Sequence, residues 1–403
     1  MRSTIRKTVS PIVSLILALV LVFFESIMAL RVTDRIVNVF YLTWLITLFF
    51  IPNVSSLFKS RRYFYLILFL VWIFLVVSAG QGVANALLRV YKLTLMLSPI
   101  LMYDVFKKVS RGTGLFIILF FIILYLYNSS VILSFSNLTD GFGMRYARDE
   151  FAIHNSIASS ISLALIIPVL SFFLFNPIPT NIKLKYSTAF LFRVLLAISI
   201  LFALYVLYRA AFMTQLLVGI LGVIWGAIYR KKRWKIKMFV YSILPFILFM
   251  GYYSTVMTKI DTVDDTFVLQ EKLSEIYNTL SGQKSQAEDY KARSNRLLLS
   301  LETFTKHPIT GVVIESKGFE DQYALGVGNH SEWVDCLALY GISGVLLLAF
   351  IFLSLKEVAK ELDFGLILVP YIIIGVLNPI LFFPQNATAF LFIPTLIRYY
   401  YKK

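Results

Sequence analysis

Apolar runs recur along the whole chain, and short polar segments separate them. Each run is roughly 20 residues long, which is sufficient for an α-helix to cross the hydrocarbon core of a bilayer. Backbone polar groups within lipid must be satisfied inside the segment that carries them. We therefore predict an all-α, polytopic membrane protein.

The pattern predicts about twelve membrane-spanning helices. The first run follows three basic residues, but it lacks a small-residue cleavage site, so we interpret it as a retained span rather than a signal peptide. The fourth is the shortest. The predicted spans are 10–30, 36–52, 63–79, 93–106, 112–135, 151–175, 188–207, 211–229, 238–257, 333–355, 364–381 and 385–400.

Alternate loops between these spans carry an excess of Lys and Arg, and so do both termini. An even number of spans places all of these segments on one side of the membrane, which the positive-inside rule assigns to the cytoplasm. The basic residues are Arg2, Arg6, Lys7, Lys59, Arg61, Arg62, Lys107, Lys108, Arg111, Lys183, Lys185, the cluster within 230–237, Lys356, Lys360, Lys402 and Lys403.

The opposite side carries one large polar loop, 258–332, between membrane segments 1–257 and 333–403. Its sequence predicts helices near 266–280 and 287–306. The second of these has an apolar stripe at helical spacing and ends at a His-Pro pair that opens the segment His307-Pro308-Ile309-Thr310-Gly311. The stripe consists of Leu297, Leu298, Leu301 and Phe304.

The composition narrows the range of functions. The chain is 59% hydrophobic with a net charge of +16, but the excess charge lies in short loops, where it acts as a topology signal rather than as a nucleic-acid surface. The single cysteine, Cys336, permits neither an internal disulfide framework nor a cysteine-based metal site. Motifs for nucleotide binding or zinc hydrolysis do not occur, so we expect neither a metal nor another cofactor.

Several arginines lie on the predicted external side, where the positive-inside rule disfavours them. Arg209 lies at the apex between two apolar spans, and Arg145 and Arg148 lie just before the sixth span. Each has a structural alternative, since Arg209 is also consistent with a snorkelling boundary residue and Arg148 with a local ion pair. Arg193 lies near the cytoplasmic end of its span, and we assign it a structural role.

A second polar group lies in the large loop. Arg293 and Arg296 open the amphipathic helix, and His330 lies at the junction with the tenth span. The arginines are also consistent with a solvated face and the histidine with a structural polar residue. Histidine is suited to general base chemistry, and Glu332 or Asp335 would orient it.

Together these groups indicate an anionic ligand. Arginine binds phosphate oxygens in a bidentate geometry, and a diphosphate leaving group needs such compensation when its bond to a sugar breaks. The sequence offers no cluster of Asp and Glu for a divalent metal, so fixed cations would take its place.

The chain resembles the O-antigen ligase and O-antigen polymerase superfamily, mainly over roughly 200–230 and 290–350. The matching elements are Tyr208-Arg209-Ala210-Ala211, Ser294-Asn295-Arg296-Leu297, His307-Pro308-Ile309-Thr310-Gly311 and residues 329–344, N-H-S-E-W-V-D-C-L-A-L-Y-G-I-S-G. Many members have a small residue before the first arginine and Gly after it, whereas this chain has Tyr208 and Ala210.

The resemblance implies a fold like that of the GT-C glycosyltransferases and a metal-independent, inverting transfer from a polyprenyl-diphosphate-linked glycan. By position, Arg209 and Arg296 would bind the diphosphate, and His330 would activate the acceptor hydroxyl. Further substrate contacts are expected from Arg145, Arg148, Arg293, Glu332 and Tyr208. The implied setting is a bacterial inner membrane, with an undecaprenyl-diphosphate-linked oligosaccharide as donor and acceptor, and a flippase and a chain-length regulator as partners.

Three functions stay open at this point. The segment His330-Ser331-Glu332-Trp333, followed by Tyr340-Gly341, looks more like the polymerases, because many ligases have His-Asn there. A ligase would instead move a finished glycan to a lipopolysaccharide core. A transporter of the same lipid-linked sugar typically shows inverted repeats and polar groups at the midplane, and the sequence shows no such repeat.

Overall fold

The computed structural model describes ten stretches of the chain, in which all regular secondary structure is helical. These stretches are residues 2–27, 34–51, 57–107, 110–138, 156–176, 186–210, 213–228, 288–316, 324–362 and 368–401. The helices are α1 (Arg2–Ser26), α2 (Asp34–Leu48), α3 (Arg61–Gln81), α4 (Val83–Phe106), α5 (Arg111–Leu138), α6 (Ser156–Phe175), α7 (Tyr186–Arg209), α8 (Met213–Ile228), α9 (Glu288–Lys306), α10 (Glu332–Tyr340), α11 (Gly344–Leu362), α12 (Leu368–Leu377), α13 (Phe383–Ala387) and α14 (Ile393–Tyr401).

Six segments within the described stretches are long and apolar enough to cross a membrane: Arg61–Gln81, Val83–Phe106, Gly112–Ser134, Ile157–Phe175, Ala189–Arg209 and Glu332–Lys360. They confirm a multi-pass, α-helical membrane protein. Three shorter apolar helices coincide with the predicted first, second and eighth spans: Ile12–Ser26, Arg35–Leu48 and Thr214–Ala227. The total of about twelve spans stays a prediction. The predicted span 238–257 and the predicted loop helix near 266–280 lie outside the described residues.

Helix α4 begins at Val83 instead of residue 93, so most of segment 80–92, between the predicted third and fourth spans, is helical. The apolar pattern does not extend into this first part of α4 because Asn85, Arg89 and Lys92 interrupt it. The polar groups of Asn85 and Arg89 have protein partners: Asn85 donates to the Gln81 carbonyl and Arg89 donates to Ser316. The fourth span is therefore full-length, and Asn85 and Arg89 are satisfied within the protein.

The chain forms two compact units. The second, Tyr125–Ala292, contains α6, α7 and α8, and α8 packs closely on α6. Glycine permits this approach, since a Cβ at Gly226 would lie 2.5 Å from the Cβ of Ser171. A buried hydrogen bond of 3.1 Å joins Asn128 to Ser159 in the same unit. Small residues and internal polar contacts of this kind are typical of helix packing in lipid.

The first unit joins residues 1–124 to residues 293–402, and a buried ion pair marks one of its ends. Arg62 of α3 donates to both carboxylate oxygens of Asp104 in α4, at 2.5 and 2.6 Å, and Tyr63 donates to the same carboxylate at 2.7 Å. Arg62 also lies 3.0 Å from Glu357 of α11, and Lys107 lies 3.6 Å from Asp104. These contacts fix the ends of three helices together.

Helix α14 reaches the same end, because the guanidinium of Arg398 lies over the ring of Tyr103 at 4.7 Å. The predicted basic loops that flank α3, α4 and α11 thus gather at one end of this unit. The opposite end of the α3–α4 hairpin, at Gln81, contacts the loop that follows α9. This arrangement supports the predicted grouping of the loops, and the assignment of the basic end to the cytoplasm stays a prediction.

Substituting Asp104 by Ala leaves the buried guanidinium of Arg62 without its principal partner. We expect the variant to lose about 3–5 kcal/mol of stability, as is usual when one member of a buried pair is removed. Thermal unfolding of the purified full chain in detergent measures the loss.

The matched control is Glu302→Ala. Glu302 pairs with Lys306 at 2.7 Å on the surface, where the hydrogen bond from the lysine lowers the pKa of the carboxyl group. Because this pair is solvated, its loss should leave the unfolding temperature unchanged. An Asp104→Ala variant with the unfolding temperature of the wild type would show that the buried pair does not stabilise this end of the first unit.

Candidate functional site

Helix α9 has the boundaries that the sequence predicts, since it spans Glu288–Lys306 and ends at the His-Pro pair. The apolar stripe does not form the buried face of this helix. Leu298 and Leu301 are 57% and 41% exposed, whereas Ser300 and Thr303 are buried. The reason is that the two hydroxyl groups have hydrogen-bond partners on the segment that leads into α10, and these partners draw the polar side of the helix inward.

The segment that leads into α10 approaches the backbone of α9 closely. Thr303 donates to the Gly326 carbonyl at 2.8 Å, and the Gly328 amide donates to the hydroxyl of Ser300 at 2.8 Å. A side chain at Gly328 would collide with the backbone of Arg296. The absence of a Cβ at Gly328 is therefore what allows the loop to reach the helix.

This approach brings Arg296 and His330 together. Nη1 of Arg296 lies 2.6 Å from Nε2 of His330, and both side chains are half-buried. A guanidinium group can only donate hydrogen bonds, so Nε2 is the acceptor and the imidazole proton is on Nδ1. The contact thus specifies a neutral imidazole held against a fixed cation, and it joins two residues that the sequence analysis selected separately.

Asp335 fixes the backbone beside this pair. Its Oδ1 accepts the Ser300 hydroxyl at 2.6 Å, and its Oδ2 accepts the Ser331 amide at 3.0 Å. The amides of Asn329 and His330 are directed at the same carboxylate. Of the two acidic residues, Asp335 is therefore the one that accepts hydrogen bonds from the backbone beside the histidine.

Glu332 has a different set of partners. Its Oε2 accepts the amides of Ile380 and Leu381, at 2.8 and 3.0 Å, in the break between α12 and α13. The thiol of Cys336 lies 3.5 Å from its Oε1. The carboxylate thus satisfies backbone amides where a helix is interrupted, and the substrate contact expected of Glu332 stays a prediction.

Two of the motifs form a backbone-to-backbone contact. The Val312 amide donates to the Ala338 carbonyl at 3.1 Å, and the Ile342 amide donates to the Pro308 carbonyl at 2.7 Å. Gly311 and Gly341 lie at the crossing with φ values of 60° and 61°. An added Cβ at either glycine would collide with the backbone of the other segment. The segment after α9 and the Tyr340-Gly341 turn are therefore one packed unit.

A cavity of about 250 Å³ lies beside the loop that carries the histidine. Its lining combines polar groups with apolar side chains from α4, α11 and the break before α13: Asn329, Glu332, Asp335, Met96, Leu347 and Phe382. Pockets for whole drug-sized ligands usually measure about 300–1,000 Å³. This cavity is large enough for only part of an extended ligand.

Arg89 was missed by the sequence analysis. It is buried in α4, and its Nη2 donates to the Ser316 carbonyl at 2.6 Å and to the Ser316 hydroxyl at 2.9 Å. Gln81, at the turn between α3 and α4, donates to the carbonyls of Ile314 and Ser316. The signal was present, since Arg89 is another arginine on the side that the positive-inside rule disfavours.

The second unit contains two of the other predicted residues. Arg209 and Tyr208 are half-buried at the carboxyl end of α7, in the second unit, where the helix dipole favours a cation. Arg293 lies near the start of α9. Arg145 and Arg148 lie outside the described residues. The described pair of Arg296 and His330 belongs to the first unit alone.

Comparison with known proteins gave no support for a family. No protein-family model matches the chain, and no curated protein matches it. The expected membership of the O-antigen ligase and polymerase superfamily therefore stays a prediction that depends on the motifs.

The crossing of the two motifs can be tested at Gly341. Replacing it by Ala places a Cβ at a positive φ and against the Ile309 carbonyl, so we expect a loss of stability of at least about 1 kcal/mol. Gly112→Ala, at a helical position with open space around it, is the control and should unfold no earlier than the wild type does. Equal unfolding temperatures for both variants in detergent would disprove the tight crossing.

Proposed function

We propose that this protein is a glycosyltransferase that polymerises polyprenyl-diphosphate-linked oligosaccharide repeat units on the external face of a bacterial inner membrane. The observation that carries the proposal is the contact between Arg296 and His330. It combines a fixed cation, suited to an anionic leaving group, with a neutral imidazole, suited to accept a proton.

In the proposed reaction, the acceptor hydroxyl attacks the anomeric carbon of the lipid-linked donor. The glycosidic bond forms as the bond from that carbon to the diphosphate breaks, with inversion, and the hydroxyl proton passes to His330. The polyprenyl diphosphate leaves with the electron pair of the broken bond. Arg296 stabilises the charge that develops on it, and Arg209 is proposed to do the same.

The described contact suggests how donor binding prepares the base. Nε2 of His330 accepts a hydrogen bond from Arg296, so this nitrogen is occupied before the substrate binds. A diphosphate offers the guanidinium a stronger, charged acceptor. Binding of the donor thus releases Nε2, which then accepts the acceptor's proton.

The remaining parts of the proposal depend on the resemblance and on the charge pattern. The donor and the acceptor are both undecaprenyl-diphosphate-linked oligosaccharides, and the polymer is an O-antigen or a capsular polysaccharide. Arg145, Arg148, Arg293, Glu332 and Tyr208 are proposed to provide further substrate contacts. Both termini lie in the cytoplasm, and a flippase and a chain-length regulator act in the same pathway.

The test compares His330→Ala and Arg296→Ala with His307→Ala in a host that lacks its own repeat-unit polymerase. His307 is an exposed histidine at the end of α9 and is the matched control. We expect a ladder of repeat units on the lipid carrier from the wild type and from His307→Ala. Loss of a general base typically costs about 10²–10⁴ in rate, so His330→Ala should yield no ladder. Arg296→Ala removes a cation that stabilises the leaving group and should also yield none.

Other outcomes identify the other functions. A ladder that forms on the carrier without this protein, and whose transfer to a lipopolysaccharide core fails, would identify a ligase. Single repeat units that accumulate on the cytoplasmic face would identify a transporter. Polymer of normal length from both site variants, with the protein inserted in the membrane, would refute the proposed site.

A further inference from the structure

Two polar residues outside the proposed chemistry link the helix of Arg296 to the loop of His330. Ser300 follows Arg296 by one turn of α9 and is fully buried. Its hydroxyl accepts the Gly328 amide and donates to Asp335, so a single oxygen joins α9, the loop and α10. The first of these contacts spans 28 residues of sequence and the second spans 35.

The carboxylate of Asp335 completes the link. It is 9% exposed, it lies in the first turn of α10, and it accepts the Ser331 amide directly after the histidine. Buried carboxylates that accept several hydrogen bonds hold their donors firmly, because an unpaired donor in this environment is costly. The position of the His330 backbone relative to α9 is thereby set from both sides.

We propose that Ser300 and Asp335 are positioning residues that set the distance between Arg296 and His330. The proposal rests on the proposed function. In that reaction, the distance between Arg296 and His330 determines whether the cation and the base can act on the same bound substrate. Neither residue needs to touch the substrate through its hydroxyl or carboxylate, since both groups are engaged within the protein.

A neighbouring tether serves as a comparison. Thr303 also joins α9 to the loop, through the Gly326 carbonyl, but its hydroxyl donates to neither Asp335 nor the histidine. A general loosening of the loop should therefore follow from Thr303→Val as well as from Ser300→Ala. A specific positioning role predicts a larger effect for Ser300→Ala.

The kinetic test uses purified full-length protein with lipid-linked donor and acceptor. Ser300→Ala and Asp335→Asn should lower kcat by about 100-fold, the usual cost of a misplacement near 1 Å. The KM for the donor should stay near the wild-type value, because Arg296 remains on α9. The kcat of the double variant should be no lower than that of the less active single variant, since both changes break the same hydrogen-bond network.

The matched control is Ser354→Ala, another fully buried serine, whose hydroxyl bonds only to the Phe350 carbonyl of its own helix. It should retain wild-type kinetics. Wild-type kcat in Ser300→Ala and Asp335→Asn would overturn the positioning role. Equal losses of kcat in Ser300→Ala and Thr303→Val would also overturn it, by showing that any tether of the loop is equivalent.

A second readout does not depend on activity. The chain has three histidines, so a His154→Gln, His307→Gln background leaves His330 as the only imidazole for diethyl pyrocarbonate. Ser300→Ala in this background should raise the rate of modification roughly tenfold, the factor expected when a hydrogen bond to a charged group is lost. Ser354→Ala should not change the rate.

The two readouts separate the possible failures. A wild-type protein without transferase activity, whose histidine is still protected through Ser300, would refute the proposed function and retain the positioning role. An unchanged modification rate in Ser300→Ala and Asp335→Asn would refute the positioning role whatever the activity is.

Discussion

The buried carboxylate of Asp335 is the constraint on which the rest of the described site depends. It accepts hydrogen bonds from the Ser300 hydroxyl and from the backbone that carries the histidine, so it joins a loop and two helices at one point. Placing a charge there is costly unless each of its oxygens is paired. The hydrogen bonds that pair the Asp335 oxygens also hold α9 and the histidine loop together. The contact between Arg296 and His330 depends on them.

Helix α9 shows which structural features a local sequence pattern can predict and which it cannot. Its end is predictable because His307 and Pro308 form a local stop signal. Its buried face is not, because hydrophobic periodicity favours Leu298 and Leu301, whereas the hydroxyl groups of Ser300 and Thr303 point inward. Their partners, Asp335 and Gly326, lie many residues away in sequence, and no local pattern identifies such a pairing.

The same distinction applies to the membrane helices and to the site. The length of the apolar runs predicts most of the described spans. It does not predict the start of α4, because Arg89 interrupts the apolar pattern there. The residue that satisfies Arg89 within the protein, Ser316, is 227 residues distant in sequence. The selection of Arg296 and His330 as candidates depended on their position on the predicted external side, and the structure describes them in direct contact. The roles of Asp335 and Glu332 became distinct only in three dimensions, since the spacing of the two carboxylates along α10 is equally suited to either role.

The contacts of the first unit differ greatly in the length of chain that they enclose. Those that join α9 to the loop and to α10 enclose 23 to 35 residues, whereas those from Gln81 and Arg89 to the loop after α9 enclose 227 to 235. Short loops close at a lower entropic cost and form sooner. During synthesis, the contact between Arg296 and His330 is therefore expected to form locally once α10 has been synthesised. The α3–α4 hairpin is synthesised earlier, and its contacts with the loop after α9 are expected to form in a separate, later step.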